Sequence, residues 1–444
     1  MHRPLALWIR LRSSLWFVPT LVVLGSMLVA HGLVEAGARL PGWSQPELPR
    51  IFGFSAEGSL AMLSAIATSM MTIAGVAFSI TIVVLSLTSS QYSPRVLRQF
   101  MRDRANQLVL GVFVGVFAFC LTLLPRVGGG AEEPVPAIAV AASVLYAIIG
   151  IGCLIFFVHH VATSIQVSAI VSEIAVETHR AANEMFPQPL RGAPPPCSPG
   201  ADFAPTSTIH SLQSGYIQLV DEDELVALAV EHDVVVRMEH RVGEFVIADT
   251  PLVSVAGMGR DARQLADRAR AAFTIDRART IEQDVLFGAR QITDIALRAL
   301  SPALNDPTTA TLCVDHATAL LHLLASRRMG PRCREHEGRV RLHVSAPDFA
   351  DLLAVSYAEI RRNAGTQVLV LRAILRGLEL LSDAVTDPAR QAALAAETKA
   401  LSTLLCRDTC DPTTVAVCRQ ADRLLSRWSV ETPPSHPLPP ENGS

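Results

Sequence analysis

The chain has 444 residues, of which half are apolar and 18% are charged, with 38 basic against 41 acidic side chains. This length predicts two or three domains, and the mixture of apolar and charged stretches is typical of a membrane unit joined to a soluble one. The slight acidic excess disfavours nucleic acid as a partner, because nucleic-acid-binding domains concentrate basic charge on one face.

Four apolar segments approach or exceed the roughly 17–25 residues that a helix needs to cross a bilayer. Their bounds are Leu15–Val34, Leu60–Thr88, Gln107–Leu124 and Ala137–Val158. Arginines precede the first segment and fill the loop between the second and third, and such residues mark the cytoplasmic side. We therefore predict a multi-pass protein of the bacterial inner (plasma) membrane with cytoplasmic N- and C-termini. An alternative for the first segment is a cleaved signal peptide, since Ala36-Gly-Ala38 resembles a cleavage site.

The second segment has small and hydroxyl side chains at helical spacing. Thr68, Thr72, Gly75, Ser79 and Ser86 recur at intervals of four, three, four and seven residues, which places them on one helix face. One interpretation is the lining of a conduit, where hydroxyls replace part of an ion's hydration shell. The other is a helix-packing face, where small residues let two backbones approach. No Asp, Glu, Lys or Arg lies within the four segments, which disfavours coupled transport.

The composition after the fourth segment divides the rest of the chain. The predicted units are a transmembrane domain over residues 1–160, a helical stalk over 161–186, a Pro-rich linker over 187–208, a small β domain over 209–257, a helical domain over 258–430 and a disordered tail over 431–444. Seven prolines between 187 and 205 predict a stiff linker without regular structure. Cysteines of a cytoplasmic region are expected to be reduced; those after the fourth segment are Cys197, Cys313, Cys333, Cys406, Cys410 and Cys418.

The predicted β domain contains short β-type runs that Gly and Pro separate. Its stretch Val234–Val255 is similar to the barrel-sandwich fold of lipoyl and biotinyl carrier domains. Those domains attach their cofactor to a hairpin lysine, but the only lysine of this chain, Lys399, lies far outside the stretch. The resemblance therefore implies a docking or ligand-sensing fold without a cofactor.

The stretch Arg279–Ala310 reads as a helix over Thr280–Leu300, a turn, and a second helix with Asp306 as its N-cap and Pro307 as its first residue. In one interpretation its polar side chains surround an anionic ligand, take part in gating, or act in catalysis. In the other they pair with one another and fix a helix-turn-helix, as the i,i+4 spacing of its arginines and acids suggests. The candidate residues are Arg279, Asp284, Arg290, Asp294, Arg298, Asn305 and Asp306.

Three stretches together resemble one protein family. They are GVAFSITIVVLSLTSSQYSPR at Gly75–Arg95, FFVHHVATSIQ at Phe156–Gln166, and RTIEQDVLFGARQITDIALRALSPALNDPTTA at Arg279–Ala310. The chain is identified through them as similar to the bacterial predicted membrane proteins called domain of unknown function 2254, roughly from Ser13 to Leu380. The resemblance implies four spans and a cytoplasmic C-terminal region, and it implies no activity.

The predicted fold is a membrane unit of four transmembrane helices with a cytoplasmic α+β region, which holds a barrel-sandwich-like β domain and a helical domain. We expect a non-enzymatic, homo-oligomeric conduit that the cytoplasmic region gates or assembles. The alternative is a membrane-anchored sensor or scaffold that binds a partner or metabolite through its cytoplasmic domains. We expect the lipid bilayer as a partner, and no cofactor, metal site or catalytic residue.

Overall fold

The structure is a computed structural model that describes residues 16–39, 56–91, 104–127, 137–164, 166–190, 203–257, 262–365, 367–405 and 412–429. The chain divides into two compact units, Met1–Ala169 and Ile170–Ser444. Several parts of the sequence prediction lie outside the described residues: the arginines before the first segment, the arginine-rich loop at 92–103, the linker centre at 191–202 with Cys197, Cys406 and Cys410, and the tail at 431–444.

Four long helices form the first unit: α1 (Phe17–Arg39), α2 (Ala56–Gln91), α3 (Arg104–Val127) and α4 (Ala137–Ser164). Each is long and apolar enough to cross a membrane, which confirms the prediction of four spans. The helices extend a few residues beyond most of the predicted bounds, because hydropathy marks the apolar part of a helix, whereas the backbone hydrogen bonds continue past it.

Helix α3 packs closely against its neighbours through two glycines one turn apart. A Cβ at Gly111 would lie 3.0 Å from the Pro19 Cα of α1, and one at Gly115 would lie 2.7 Å from Ser26 Oγ. The Ser26 hydroxyl donates to the Val22 carbonyl and lies 2.7 Å from the hydroxyl of Tyr146 on α4. Small residues at this crossing therefore let α1, α3 and α4 meet, and the hydrogen bond between Ser26 and Tyr146 joins α1 to α4 there.

The second unit contains eight strands and ten α-helices in the part of the chain that the structure describes. They are α5 (Val167–Met185), β1 (Ser207–His210), β2 (Gly215–Val220), α6 (Glu222–Glu231), β3 (Val235–Met238), β4 (Phe245–Val246), β5 (Pro251–Ala256), α7 (Ala262–Ala271), β6 (Phe273–Asp276), α8 (Val285–Ala299), α9 (Pro307–Ala325), β7 (Arg332–His336), β8 (Arg339–Val344), α10 (Phe349–Leu353), α11 (Glu359–Ala364), α12 (Val368–Ala384), α13 (Pro388–Leu405) and α14 (Pro412–Ser429). A π-helical turn, Ala354–Ala358, joins α10 to α11.

The strands form two open sheets. One has the order β1-β5-β3-β8-β7 and the other the order β4-β2-β6. Strand β3 pairs in parallel with β8, with Val236 opposite Leu342, and the other pairs are antiparallel. Neither sheet closes among the described strands, so the barrel-sandwich prediction is not confirmed. The prediction differs from the structure because β6, β7 and β8, which lie outside residues 209–257, complete the two sheets.

Cysteine oxidation differs from the expectation at one position. Cys333, on β7, is disulfide-bonded, whereas Cys313 and Cys418 are free. The Cys333 sulfur also lies 3.1 Å from Nδ1 of His343 on the neighbouring strand β8. The prediction of reduced thiols is therefore wrong for Cys333.

Helices α8, α9 and α12 form the core of the helical part. Tyr357, in the π-helical turn, is fully buried there, and its hydroxyl lies 2.6 Å from Thr318 Oγ1 of α9. Gly377 of α12 leaves room for this pair, because a Cβ at that position would overlap the Tyr357 hydroxyl. The Thr293 hydroxyl of α8 donates to the Val355 carbonyl, a carbonyl that belongs to the π-helical turn. This core supports the helix faces on which the sites described below lie.

Candidate functional site

The five residues predicted to form a polar face on α2 are all exposed in the structure. The Thr72 hydroxyl donates to the Thr68 carbonyl, and a Cβ at Gly75 would meet no atom within 4 Å. The opposite face of α2 makes the contacts with the other helices; its buried residues include Leu63, Ala67, Met70, Ala74 and Ala77. Packing within one chain therefore does not account for the polar face, which is open to lipid or to another protein chain.

At the start of α8, the buried Asp284 forms an ion pair with the partly exposed Arg279. Arg279 Nε lies 2.8 Å from Asp284 Oδ2, and Nη2 lies 2.9 Å from Oδ1. The same carboxylate accepts the Phe287 N–H and so caps α8. Burial raises the pKa of Asp284, and the Arg279 charge opposes that rise. Because Asp284 is the N-cap, the helix begins at Val285 rather than at the predicted Thr280.

A loop of the β region is seated on this ion pair. Gly243 has φ +89°, and a Cβ there would overlap the Asp284 carboxylate. Arg241, in the same loop, lies 2.6 Å from the carboxylate of Asp351 on α10 and 3.1 Å from that of Glu244. The loop that contains Arg241 and Gly243 therefore joins the β region to α8 and α10.

Arg290 connects α8 to α11. It lies 2.8 Å from Asp294, one turn along the same helix, and 2.6 Å from Glu359. The first contact has the i,i+4 spacing read from the sequence. Arg298, two turns beyond Arg290, is exposed.

The turn between α8 and α9 contains the last two predicted residues. Asn305 has φ +46°, and its side-chain oxygen accepts a hydrogen bond from Gln367. Asp306 caps α9 by accepting the N–H groups of Thr308 and Thr309 and the Thr309 hydroxyl. These hydrogen bonds, of which the hydroxyl of Thr309 contributes most, lower the pKa of Asp306. The carboxylate of Asp306 therefore acts as the cap of α9.

A groove lies between α5 and α9, away from all seven of those residues. Its volume is about 550 Å³, within the roughly 300–1,000 Å³ of small-molecule sites. Helix α5 provides Ser172, Ala175, Val176, His179, Arg180, Asn183 and Glu184, and α9 provides His316. The groove therefore combines an apolar part with several polar side chains.

Two histidines face each other across the groove. His179 Nδ1 lies 2.7 Å from the Ala175 carbonyl, which can only accept, so Nδ1 carries the hydrogen. Burial lowers the pKa of His316, the His179 charge lowers it further, and Asp315 opposes both effects. Sequence reasoning missed this pair, because the two residues lie 137 positions apart. The weak signal was one histidine on each of two amphipathic helices. Among the described residues, no three His, Cys, Asp or Glu side chains are placed to hold a metal ion.

The four membrane-length helices and the large α/β extension define an integral membrane protein with a soluble unit. The chain belongs to the family of predicted membrane proteins DUF2254, whose model matches residues 12–379. Similar proteins include an uncharacterized protein of Mycobacterium bovis and one of Mycobacterium tuberculosis. Each is 35% identical over 413 residues, which covers 89% of this chain and 76% of the relative. No solved structure matches the chain.

Proposed function

We propose that this protein is a non-enzymatic, membrane-anchored sensor. Its soluble unit binds a small molecule or partner, and the stalk helix α5 transmits the bound state to the membrane helices. The observation that supports this proposal is the position of α5 in the chain and in the soluble unit. It begins three positions after α4 ends, and from Ile170 onward it has one face in the soluble core and another in the groove.

The buried face of α5 is tightly held. Thr178 is fully buried, and a Cβ at Gly288 of α8 would overlap its hydroxyl. The end of the stalk is fixed by Arg327, which donates to the Phe186 carbonyl at 3.0 Å and to Asn183 Oδ1 at 2.9 Å. A ligand that shifts α5 must therefore move a helix that begins three positions after the end of α4.

The experiment is hydrogen–deuterium exchange of the full-length protein in lipid nanodiscs. Gly288→Ala would push α5 away from α8, so we expect faster exchange in α5 and in α4. Adding Thr178→Ala removes the two atoms nearest to the new methyl group and leaves the Thr178 Cβ at 2.8 Å, so most of the increase should be reversed. Faster exchange confined to the soluble unit would contradict the proposal.

We further propose that both termini are cytoplasmic and that the membrane is the inner membrane. The arginines before α1 and between α2 and α3 support this orientation. The disulfide-bonded state of Cys333 argues for the other side, because disulfides persist mainly in oxidising compartments. A C-terminal green fluorescent protein fusion should fluoresce, and a C-terminal alkaline phosphatase fusion should be inactive. An active phosphatase fusion would reverse the assignment.

A second candidate function is a homo-oligomeric conduit whose path the polar face of α2 lines. It is favoured by the exposure of Thr72 and Ser79, which one chain alone leaves without a helix neighbour. Ion flux into liposomes should then be lost in Thr72→Leu and in Ser79→Leu. It should persist in Ile80→Leu, which changes an exposed residue of α2 outside the polar face. Absence of ion flux in the wild-type protein would contradict the conduit, and the sensor would remain as the proposed function.

A further inference from the structure

Most polar groups of the stalk groove are hydrogen-bond donors. Arg180 forms no ion pair with any residue that the structure describes. Asn183 accepts from Arg327 with its side-chain oxygen, which leaves its amide hydrogens free to donate. The Ser172 hydroxyl can donate as well. Glu184 is the single carboxylate among the lining residues. This set of donors suits an anionic group on a ligand.

Neutral His316 has one N–H donor, and protonation gives its ring a second donor together with a positive charge. His179 donates its Nδ1 hydrogen to the Ala175 carbonyl, so the neutral ring has no second hydrogen to offer a ligand. Protonation of His316 is opposed by burial and by His179. Asp315, next to His316 on α9, favours that proton weakly, because it is itself paired with Arg376 of α12 at 2.5 Å. A bound anion would supply the negative charge that these surroundings lack.

The apolar part of the groove selects for more than an inorganic ion. Ala175 and Val176 lie among the lining residues, and Val176 is 69% exposed. Val176 therefore offers apolar surface beside the polar side chains of the groove, a combination typical of small-molecule sites. The volume of about 550 Å³ holds an acidic group together with a short hydrocarbon portion.

We infer that the stalk groove binds a small organic anion, a carboxylate or phosphate with an apolar portion, and that His316 takes up a proton as it binds. Arg180 and the Asn183 amide contact the acidic group, and Val176 contacts the apolar portion. This inference rests on the sensor proposal and names the ligand class of its site. By linkage, affinity falls as pH rises above the lowered pKa of unliganded His316, by up to about tenfold per pH unit for the one proton taken up.

The test is isothermal titration calorimetry of the full-length protein in nanodiscs with hexanoate as the probe, because its carboxylate has the same charge at pH 6 and pH 7. We expect saturable binding at pH 6 and about tenfold weaker binding at pH 7. Arg180→Gln and His316→Gln should each weaken binding at pH 6 about tenfold. The matched controls are Arg263→Gln on α7 and His322→Gln on α9, both exposed residues outside the groove; they should bind as the wild type does.

Two outcomes would overturn the inference. One is the absence of hexanoate binding at pH 6, and the other is binding that Arg180→Gln and His316→Gln leave unchanged. Nanodiscs with and without phosphatidylglycerol distinguish the source of the anion. Competition by that lipid assigns the site to a headgroup, and equal binding in both discs assigns it to a soluble anion. Because the exchange experiment with Gly288→Ala uses no ligand, failure of the inference and failure of the sensor proposal are separate results.

Discussion

The membrane unit and the soluble unit stabilise their buried polar groups in different ways. In the membrane unit the hydroxyls of Ser26 and Thr81 each donate to the carbonyl four residues earlier in the same helix, at 2.8 Å. In the soluble unit the Arg390 guanidinium donates to the carbonyls of Leu324 and Ala325, 65 or more residues away along the chain. Hydrocarbon offers no water to an unpaired group, so these two hydroxyls bond to carbonyls of their own helices, whereas Arg390 uses its charge to join distant segments of the soluble unit.

The largest effect should follow the loss of a long-range contact in the soluble unit. Arg390 is 7% exposed, caps the C-terminal end of α9 and lies 5.1 Å from the Phe349 ring. Arg390→Met leaves buried carbonyls unpaired, and we expect the free energy of unfolding to fall by about 3 kcal/mol. Urea unfolding of the full-length protein in detergent, followed by circular dichroism, measures this change.

The control for that prediction is an arginine that makes an exposed ion pair. Arg427 lies 3.4 Å from Asp383, with side chains 64% and 77% exposed. Such pairs contribute about 0–1 kcal/mol, so Arg427→Met should lie close to the wild type. Equal losses of unfolding free energy in Arg390→Met and Arg427→Met would show that burial of an arginine does not determine its contribution to stability.

A smaller effect is expected where the membrane unit depends on close helix packing. In Gly115→Ala the new Cβ would lie 2.6 Å from the Tyr146 hydroxyl and 2.7 Å from Ser26 Oγ. Overpacking of this kind costs about 1–3 kcal/mol, and it separates the hydroxyls that join α1 to α4. Resistance to unfolding by sodium dodecyl sulfate should therefore decrease. Gly25→Ala, whose Cβ would meet nothing within 4 Å, should leave that resistance unchanged.

The cap of α9 predicts a modest, pH-dependent effect. Asp306→Ala removes three hydrogen bonds to Thr308 and Thr309 and should cost about 1 kcal/mol at pH 7. Those bonds lower the pKa of Asp306 in the folded state. The stabilisation by the carboxylate is therefore complete at pH values above the pKa of Asp306 in the unfolded chain. It is lost as pH falls through the lower pKa of the folded state. Urea unfolding at pH 7 and pH 3.5 should show the difference between variant and wild type narrowing; a constant difference would exclude the carboxylate charge as its source.

The smallest effect should have the opposite sign. Asn106, near the start of α3, is 2% exposed, and neither of its amide atoms has a hydrogen-bond partner among the described residues. Asn106→Leu replaces an unsatisfied buried group by an apolar one and should leave the membrane unit unchanged or more stable by about 1 kcal/mol. A clear loss of resistance to sodium dodecyl sulfate would mean that the amide contributes to stability.

Sequence predicted the local features of both units well. The four spans follow from long apolar runs. The cap at Asp306 with Pro307 in the first turn is confirmed, because both depend on neighbouring residues. The predicted helix start at Thr280 is wrong, since Asp284 pairs with Arg279 and begins the helix later. A local pattern does not reveal which of several acids will serve as the cap.

Features that depend on distant residues were not predictable in the same way. The sheet joins β3 to β8, and Val236 pairs with Leu342 across more than 100 residues. The short β-type runs within 209–257 do not indicate these partners, so the sequence alone favours a small closed fold over those residues. The groove likewise depends on His179 and His316, which only the fold brings to one place. Two separate amphipathic helices in a sequence do not specify which of their faces meet.

The central claim is that the stalk couples the two units, and coupling between two sites must act in both directions. The most direct test therefore begins in the membrane unit, with hydrogen–deuterium exchange of the stalk segment 172–184 in nanodiscs. We predict that Gly115→Ala increases exchange in this segment and that Gly25→Ala does not. Exchange in the segment that stays the same in Gly115→Ala, while the membrane helices themselves exchange faster, would contradict the claim.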